Sequence, residues 1–275
     1  MRLAGPHKPD VSLAPAAGRA LLWADVATIA VNEVSLEYEW WGSPSERPPV
    51  LLLHEALGSV KAWGEFPRLL AEAMGCRVYA YSRQGCGRSE PLLDGRLGAD
   101  YLEKEALEVL PALREALHLD QVVLAGVQEG GTIALIHAGG AVTPTVAVAA
   151  VAPILFVEPA LRDSIEALMS QFIHVGSSVF DAPSDPQKTF AAWSQLWRDP
   201  SRAPWQVDDF LRGITCPTLL ARGDADDFTT PAHLERASAL VHDAQLVTLA
   251  GCRHMPHLEK PAVLAEALTW FLGQP

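Results

Sequence analysis

Short apolar runs alternating with helix-period segments constrain this chain more than anything else in it, because strands and helices in alternation fold as a parallel sheet covered on both faces. The runs at residues 50–53, 77–81, 121–125 and 145–151 read as buried strands, and the segments at 63–74, 101–117 and 132–138 carry helical spacing. Two earlier strand-like segments, 27–31 and 35–41, meet at Asn32-Glu33 and predict an antiparallel opening hairpin. The alternation stops between Pro153 and Gly213, where residues 161–209 are helix-like and hold Trp193, Trp197 and Trp205. It resumes with 217–221, 232–241, 244–249 and 262–272. The chain thus divides into a leader (1–25), an α/β core built from 26–152 and 214–275, and a helical insertion (153–213).

With 275 residues and 49% hydrophobic content, the chain can bury one sizeable core. A formal net charge of -12 repels nucleic acid and anionic membrane, which excludes both as main partners. Nowhere do about 18 apolar residues follow one another, the length a membrane-spanning helix needs. Arg19 and Asp25 break the apolar pieces of residues 1–30 ahead of any signal-cleavage site, so this stretch reads as a loose leader running into the first strand. Cys76, Cys86, Cys216 and Cys252 are scattered, with no C-x-x-C pair, and a reducing cytoplasm fits that usage. A small molecule is the expected partner, and a homodimer is left open.

Residues 121–135 run as an apolar strand, a glycine-bounded turn (Gly126-Val127-Gln128-Glu129-Gly130) and a helix. That is the layout of a nucleophile elbow, G-x-S-x-G, with Gln128 in the place of serine. A carboxamide has no proton whose removal yields a useful nucleophile at neutral pH, so acyl-enzyme chemistry cannot begin there. It can donate and accept hydrogen bonds. Gln128 therefore either holds a water or a substrate oxygen, or fills the space of a decayed elbow.

In open α/β sheets ligands collect beyond the carboxyl ends of the strands, so the loops that follow strands are where chemistry is sought. Besides the elbow these are His54-Glu55-Ala56-Leu57-Gly58-Ser59, Ser82-Arg83-Gln84-Gly85-Cys86-Gly87-Arg88-Ser89, Gly223-Asp224-Ala225-Asp226 and Gly251-Cys252-Arg253-His254. On these loops the chain resembles the α/β-hydrolase fold family, from about the second strand to the C terminus. The resemblance implies a mostly parallel central sheet with helices on both faces and a helical cap insertion. The His54 loop is similar to the family's H-G-x-x-G-S segment, with Glu55 in place of glycine, and implies an oxyanion-hole amide at Ala56; the amide of Glu129, after the elbow, would join it. The Ser82 turn is similar to D-x-R-G-x-G-x-S, departing at Ser82 and Gln84. The family order of nucleophile, acid and histidine maps onto Gln128, Asp226 and His254. By that likeness Asp226 fixes the imidazole tautomer and leaves the other nitrogen of His254 as a base.

Other assignments compete for the same residues. Asp224 and Asp227 flank Asp226, and any of the three could cap the helix that begins near Thr230 or Pro231. Glu129 could sit in the helix start, favoured by its dipole, or add a carboxylate to the pocket. Glu55 raises the same question. Paired acids could raise each other's pKa, although a salt bridge to Arg83 or Arg88 is the expected fate of at least one. Cys86 and Cys252 are thiols on the same face as His254. The pairs His54-Glu55 and His254-His257 lack zinc spacing, so no metal is assigned. Gly85-x-Gly87 lacks the third glycine and the acid of a dinucleotide fingerprint, and no cofactor is expected.

The reading that follows is an enzyme of α/β-hydrolase fold acting on a small apolar ester-, lactone- or ketone-like substrate. His254 and Asp226 would work without a serine nucleophile, with His54, Glu55, Trp193 and Trp197 binding the substrate and the tryptophans in a lid. Two alternatives stand beside it: a pseudo-hydrolase that keeps the pocket to bind a small molecule, and a hydrolase inactivated by exchange of serine for glutamine.

Overall fold

A computed structural model describes residues 27–175 and 186–273; the expected leader at 1–25 lies outside the described residues. Eight strands form one sheet in the order β1-β2-β4-β3-β5-β6-β7-β8. β1 (Thr28–Val31) and β2 (Val34–Trp41) form the expected hairpin. It closes through Asn32 and Glu33, whose φ angles of 49° and 69° match the handedness of a two-residue hairpin turn. β2 is antiparallel to β4 (Val78–Tyr81). The rest is parallel: β3 (Val50–Leu53), β5 (Val123–Val127), β6 (Ala147–Val151), β7 (Thr218–Gly223) and β8 (Ala244–Leu249).

Strand side chains alternate between the two faces. Leu51, Leu53, Leu124, Val148, Ala150 and Leu220 belong to one core layer, while Val50, Leu52, Val123, Ala125, Ala149 and Leu219 belong to the other. The second layer is closed by α1 (Phe66–Met74) and α10 (Pro261–Leu272). The first is closed by the helix at 101–116, by α4 (Glu129–Gly140) and by α8 (Ala232–Leu240). Each buried Leu or Val contributes about 1.5–3 kcal/mol, which makes the doubly covered central strands the rigid base of the loops that follow them.

The helix expected at 101–117 is not uniform. It runs as α2 (Tyr101–Lys104), a π segment (Glu105–Val109) and α3 (Leu110–Ala116). Pro111, in the first turn of α3, has no N–H for the α ladder and its ring crowds the carbonyl four residues back; the wider π turn accommodates both.

The elbow differs from expectation in its limits. β5 runs on to Val127, and α4 starts at Glu129 rather than Thr132, because the Gln128 carbonyl accepts the Thr132 N–H at 3.0 Å. Two glycines permit so abrupt a junction. A Cβ on Gly126 would lie 2.2 Å from the Gly130 carbonyl, and one on Gly130 would lie 1.9 Å from the Leu53 oxygen. Backbone, not a pliable side chain, would have to move. Gly130→Ala is expected to lose about 3 kcal/mol of stability, read as a fall in the urea midpoint.

Between β6 and β7 the helix-like segment resolves into α5 (Pro159–Val175), α6 (Pro186–Arg198), a 3-10 turn (Pro200–Arg202) and α7 (Asp208–Gly213). β6 and β7 nonetheless pair directly, from Val148↔Thr218 to Val151↔Ala221. The sheet is therefore continuous across this excursion. A short α9 (Pro256–Glu259) precedes α10. Among the described residues no helix is long and apolar enough to cross a membrane.

Candidate active site

Hydrogen bonds and close polar contacts link the loops after β3, β4, β5, β7 and β8 at the carboxyl end of the sheet. His254, between β8 and α9, places Nδ1 3.0 Å from Asp226 Oδ1. The neighbouring aspartates have other partners: Asp224 accepts the Gly251 N–H at 2.8 Å, and Asp227 pairs with Arg253. Asp226 also accepts the N–H groups of Phe228 and Thr229 and the Thr229 hydroxyl, so it turns its own loop while holding the imidazole. Burial alone would raise its pKa; the hydrogen bond and charge of His254 and the two backbone donors outweigh it and hold the carboxyl below the usual aspartate value. Phe228 stacks on the imidazole with ring centres 4.5 Å apart. The far nitrogen, Nε2, is buried and has no hydrogen-bond partner. With Nδ1–H directed at a carboxylate, Nε2 is left as a proton acceptor.

Gln128 sits at the turn between β5 and α4 with φ 53° and ψ -117°. That conformation costs a non-glycine residue about 1–3 kcal/mol, and the backbone bond from Gln128 N–H to the Val151 oxygen (2.8 Å) helps to hold it. Its side-chain Oε1 accepts the Ala56 N–H at 2.9 Å. The Ala56 amide, expected to stand ready for an oxyanion, is thus filled by the elbow residue itself. Only the Nε2 amino group of Gln128 remains to act, and it donates without attacking.

His54 does not offer the substrate contact expected of it. It is fully buried, with Nδ1 2.6 Å from the Glu55 carbonyl and Nε2 accepting the Arg83 N–H at 3.0 Å. Burial, reinforced by the Arg83 charge, holds its pKa well below the ordinary histidine value. The Arg83 guanidinium completes the clamp by donating to the carbonyls of His54 (2.6 Å) and Glu55 (2.7 Å). Both ring nitrogens of His54 are spent on holding this loop in place.

Glu129 takes the helix-start position, where the α4 dipole favours a carboxylate. Its Oε1 accepts the indole N–H groups of Trp193 (2.8 Å) and Trp197 (2.6 Å) from α6, and its Oε2 lies 3.8 Å from Arg83. The two tryptophans, expected to line a lid over substrate, are buried to within 1% and tied by their polar atoms to the residue after the elbow. They bind the helices that follow β6 to the carboxyl end of the sheet.

The sequence profile of the Alpha/beta hydrolase family matches residues 50–267. The chain belongs to this family. A proline iminopeptidase of Lactobacillus delbrueckii subsp. lactis is 26% identical over 277 residues, spanning 85% of this chain and 93% of that protein. The solved enol-lactonase from Burkholderia xenovorans LB400 superposes with a TM-score of 0.72 at 19% identity, covering 90% of this chain and 100% of that one. A hydrolase from Pseudomonas aeruginosa PA01 gives 0.71 at 20% identity, with 92% and 100% covered. At these identities the two structures establish the hydrolase fold alone.

Against the family pattern, Ser82 stands in place of an aspartate, and the structure supplies a carboxylate from elsewhere. The β2–β4 register pairs Tyr38 with Tyr81, which sets Glu37 beside Ser82. Glu37 Oε2 accepts the Ser82 hydroxyl (2.7 Å) and the Arg88 N–H (2.9 Å), while Ser82 Oγ accepts the Val60 N–H (2.9 Å). Sequence reasoning missed Glu37. Its residue type gave no signal, since the same strand also carries Ser35 and Glu39, and only burial sets Glu37 apart. Glu37→Ala would leave the buried Ser82 hydroxyl and the part-buried Arg88 N–H without their acceptor and is expected to cost about 3 kcal/mol, measured as a lower denaturation midpoint.

The thiol alternative loses support from the burial of both cysteines. Burial pushes the Cys86 thiol up to about 12, and the buried Cys252 is also raised, so neither forms an appreciable thiolate near neutral pH. Among the described residues no group of three His, Cys, Asp or Glu side chains is placed to hold a metal ion.

Proposed function

We propose that this chain is an enzyme working by general-base catalysis, in which His254, oriented by Asp226, takes a proton from water or from a small apolar ester-, lactone- or ketone-like substrate. No covalent intermediate forms on the elbow, where Gln128 takes the place of the family's serine. The observation that carries this reading is the buried, partnerless Nε2 of His254 behind a fully buried carboxylate. Leaving such a nitrogen unpaired costs about 1–3 kcal/mol, a cost with a rationale where the nitrogen is used. Gln128 Nε2 and the Glu129 amide are the donors for the oxygen on which charge develops. The helices after β6 serve as the cap, held through Glu129, Trp193 and Trp197. The relatives' names, a proline iminopeptidase and an enol-lactonase, favour hydrolysis at a carbonyl centre as the reaction to try first.

One observation favours a second reading, a hydrolase-like binding protein without turnover: the Ala56 amide is already occupied by Gln128 Oε1. Steady-state hydrolysis of aryl esters, lactones and enol esters separates the two when measured on the chain, on His254→Ala and on Gln128→Ser. Wild-type turnover that His254→Ala abolishes is the expected result. Turnover seen only in Gln128→Ser would sink the proposal and leave a disabled serine hydrolase.

A further inference from the structure

Beside His254 lies a buried cluster that the steps above leave unused. Glu55 has a rigid backbone: its carbonyl accepts Arg83 Nη2 (2.7 Å) and the Gly58 N–H (3.1 Å), and receives His54 Nδ1 at 2.6 Å. Its side chain folds over Gly58, where a Cβ would come within 2.6 Å of the carboxyl. From there Glu55 Oε2 lies 3.8 Å from His257 Nε2. His257 is buried edge-on to Trp63, with ring centres 4.9 Å apart. Glu55 Oε2, both ring nitrogens of His257, Trp63 Nε1 and His254 Nε2 all lack hydrogen-bond partners. Partnerless interior polar atoms are rare singly, and here they share one neighbourhood.

We propose that the Glu55 carboxyl is the general acid of the reaction that His254 begins, delivering a proton to the leaving oxygen of an ester or lactone. This rests on the function proposed above. Water gives a proton to His254 Nε2 while its oxygen bonds to the acyl carbon and the carbonyl π pair moves onto oxygen. When the tetrahedral species collapses, the acyl C–O bond breaks and the Glu55 proton passes to the departing oxygen, yielding alcohol and acid. The His254 imidazolium then returns its proton, by way of solvent, to the Glu55 carboxylate. One water is consumed and both side chains are restored.

The surroundings of Glu55 shift its carboxyl toward the protonated form that this step uses. Burial raises its pKa, against a backbone hydrogen bond and the charges of Arg83 and His254, all of which lower it; Cys86 also feels its charge, and His257 faces it at 3.8 Å. His257 is held down to about 3, first by burial and then by the His254 charge, so it stays neutral and does not take the proton. A glycine, which the family pattern has at this position, has no such proton to give.

The test is the leaving-group dependence of kcat/KM over esters of one acyl group, from 4-nitrophenol to ethanol. An acid is needed only where the departing oxygen is basic. Glu55→Gln is expected to lose about 100-fold or more on the ethyl ester and less than about threefold on the 4-nitrophenyl ester, with partial rescue in Glu55→Asp. An equal loss on both esters, or no loss on either, overturns the proposal. His254→Ala keeps its failure separate from that of the broader reading. If that variant loses both activities, the base stands whatever Glu55 does; if it loses neither, or the wild type turns over no ester, base and acid fall together. Should Glu55→Gln not fold, carbon NMR of labelled glutamate in the wild-type chain, assigned with Glu55→Asp, decides. A Glu55 midpoint above that of an ordinary glutamate is expected, and one at or below it overturns the proposal.

Discussion

Ester or lactone hydrolysis is expected to fall by about 10²–10⁴-fold in His254→Ala, the range a positioned general base supplies, while the fold survives. The imidazole meets Asp226 through Nδ1 and the Phe228 ring by stacking. Removing it leaves the Asp226 carboxylate with the Phe228 and Thr229 N–H groups and the Thr229 hydroxyl. The aspartate loop therefore keeps its shape, and the urea midpoint should move far less than the rate. Asp226→Asn should bring a loss of the same order, because an amide can offer its NH₂ to Nδ1 and force the tautomer whose Nε2 carries the proton. Measured kcat/KM against pH gives the decisive comparison. A kcat/KM lower in His254→Ala than in the wild type throughout the profile is expected, and equal profiles would remove His254 from the mechanism.

Stability is expected to fall steeply on acidification below about pH 6.5, where histidines of the unfolded chain begin to take up protons. Burial holds His137 down to about 4 and His257 to about 3, and holds His54 well below its ordinary value. Between the unfolded value and these folded values the unfolded chain binds more protons, so stability rises with pH and is lost as pH falls. Each histidine contributes a slope of about 1.4 kcal/mol per pH unit, and His137 with His257 about 3 kcal/mol per unit. Glu55 and Glu105 act in the opposite sense, since burial raises their folded pKa and the native state takes their protons first. His137 shows why protonation is disruptive. Its Nδ1 lies 2.7 Å from the Ala106 carbonyl and its Nε2 accepts from Arg114 at 2.8 Å, so an added proton would set two buried cations against each other. Urea midpoints at about pH 7, 6 and 5 check the slope, and His257→Gln should flatten it by one histidine's share. A flat profile over that range would show that these rings are not held neutral.

Much of the fold was legible because its cause is local. Apolar runs such as Val50–Leu53 mark strands buried on both faces, and the glycines at 126 and 130 mark a tight junction whatever residue stands between them. The aspartate and histidine loops could be read for the same reason, since each follows directly from the end of a strand. Helix limits were less legible. The early start of α4 depends on the Gln128 carbonyl reaching Thr132, and the π segment on a conflict at Pro111 that periodicity does not register. Glu37 was missed because its role depends on strand register with β4, not on its own neighbours in the chain.

The sequence by itself determined the alternating architecture, the glycine-bounded turn that carries Gln128, and a histidine and an acid on loops that follow strands. Only the tertiary structure decided what those residues meet. It paired Asp226 rather than Asp224 or Asp227 with His254, and spent His54 on Arg83. It also gave the indoles of Trp193 and Trp197 to Glu129, and filled the Ala56 amide with the Gln128 oxygen from 72 residues away. The physical reason is the range of the forces involved. Periodicity and turn chemistry act over a few neighbouring residues, whereas a hydrogen bond between side chain and backbone is chosen only after the sheet has brought distant loops to one edge.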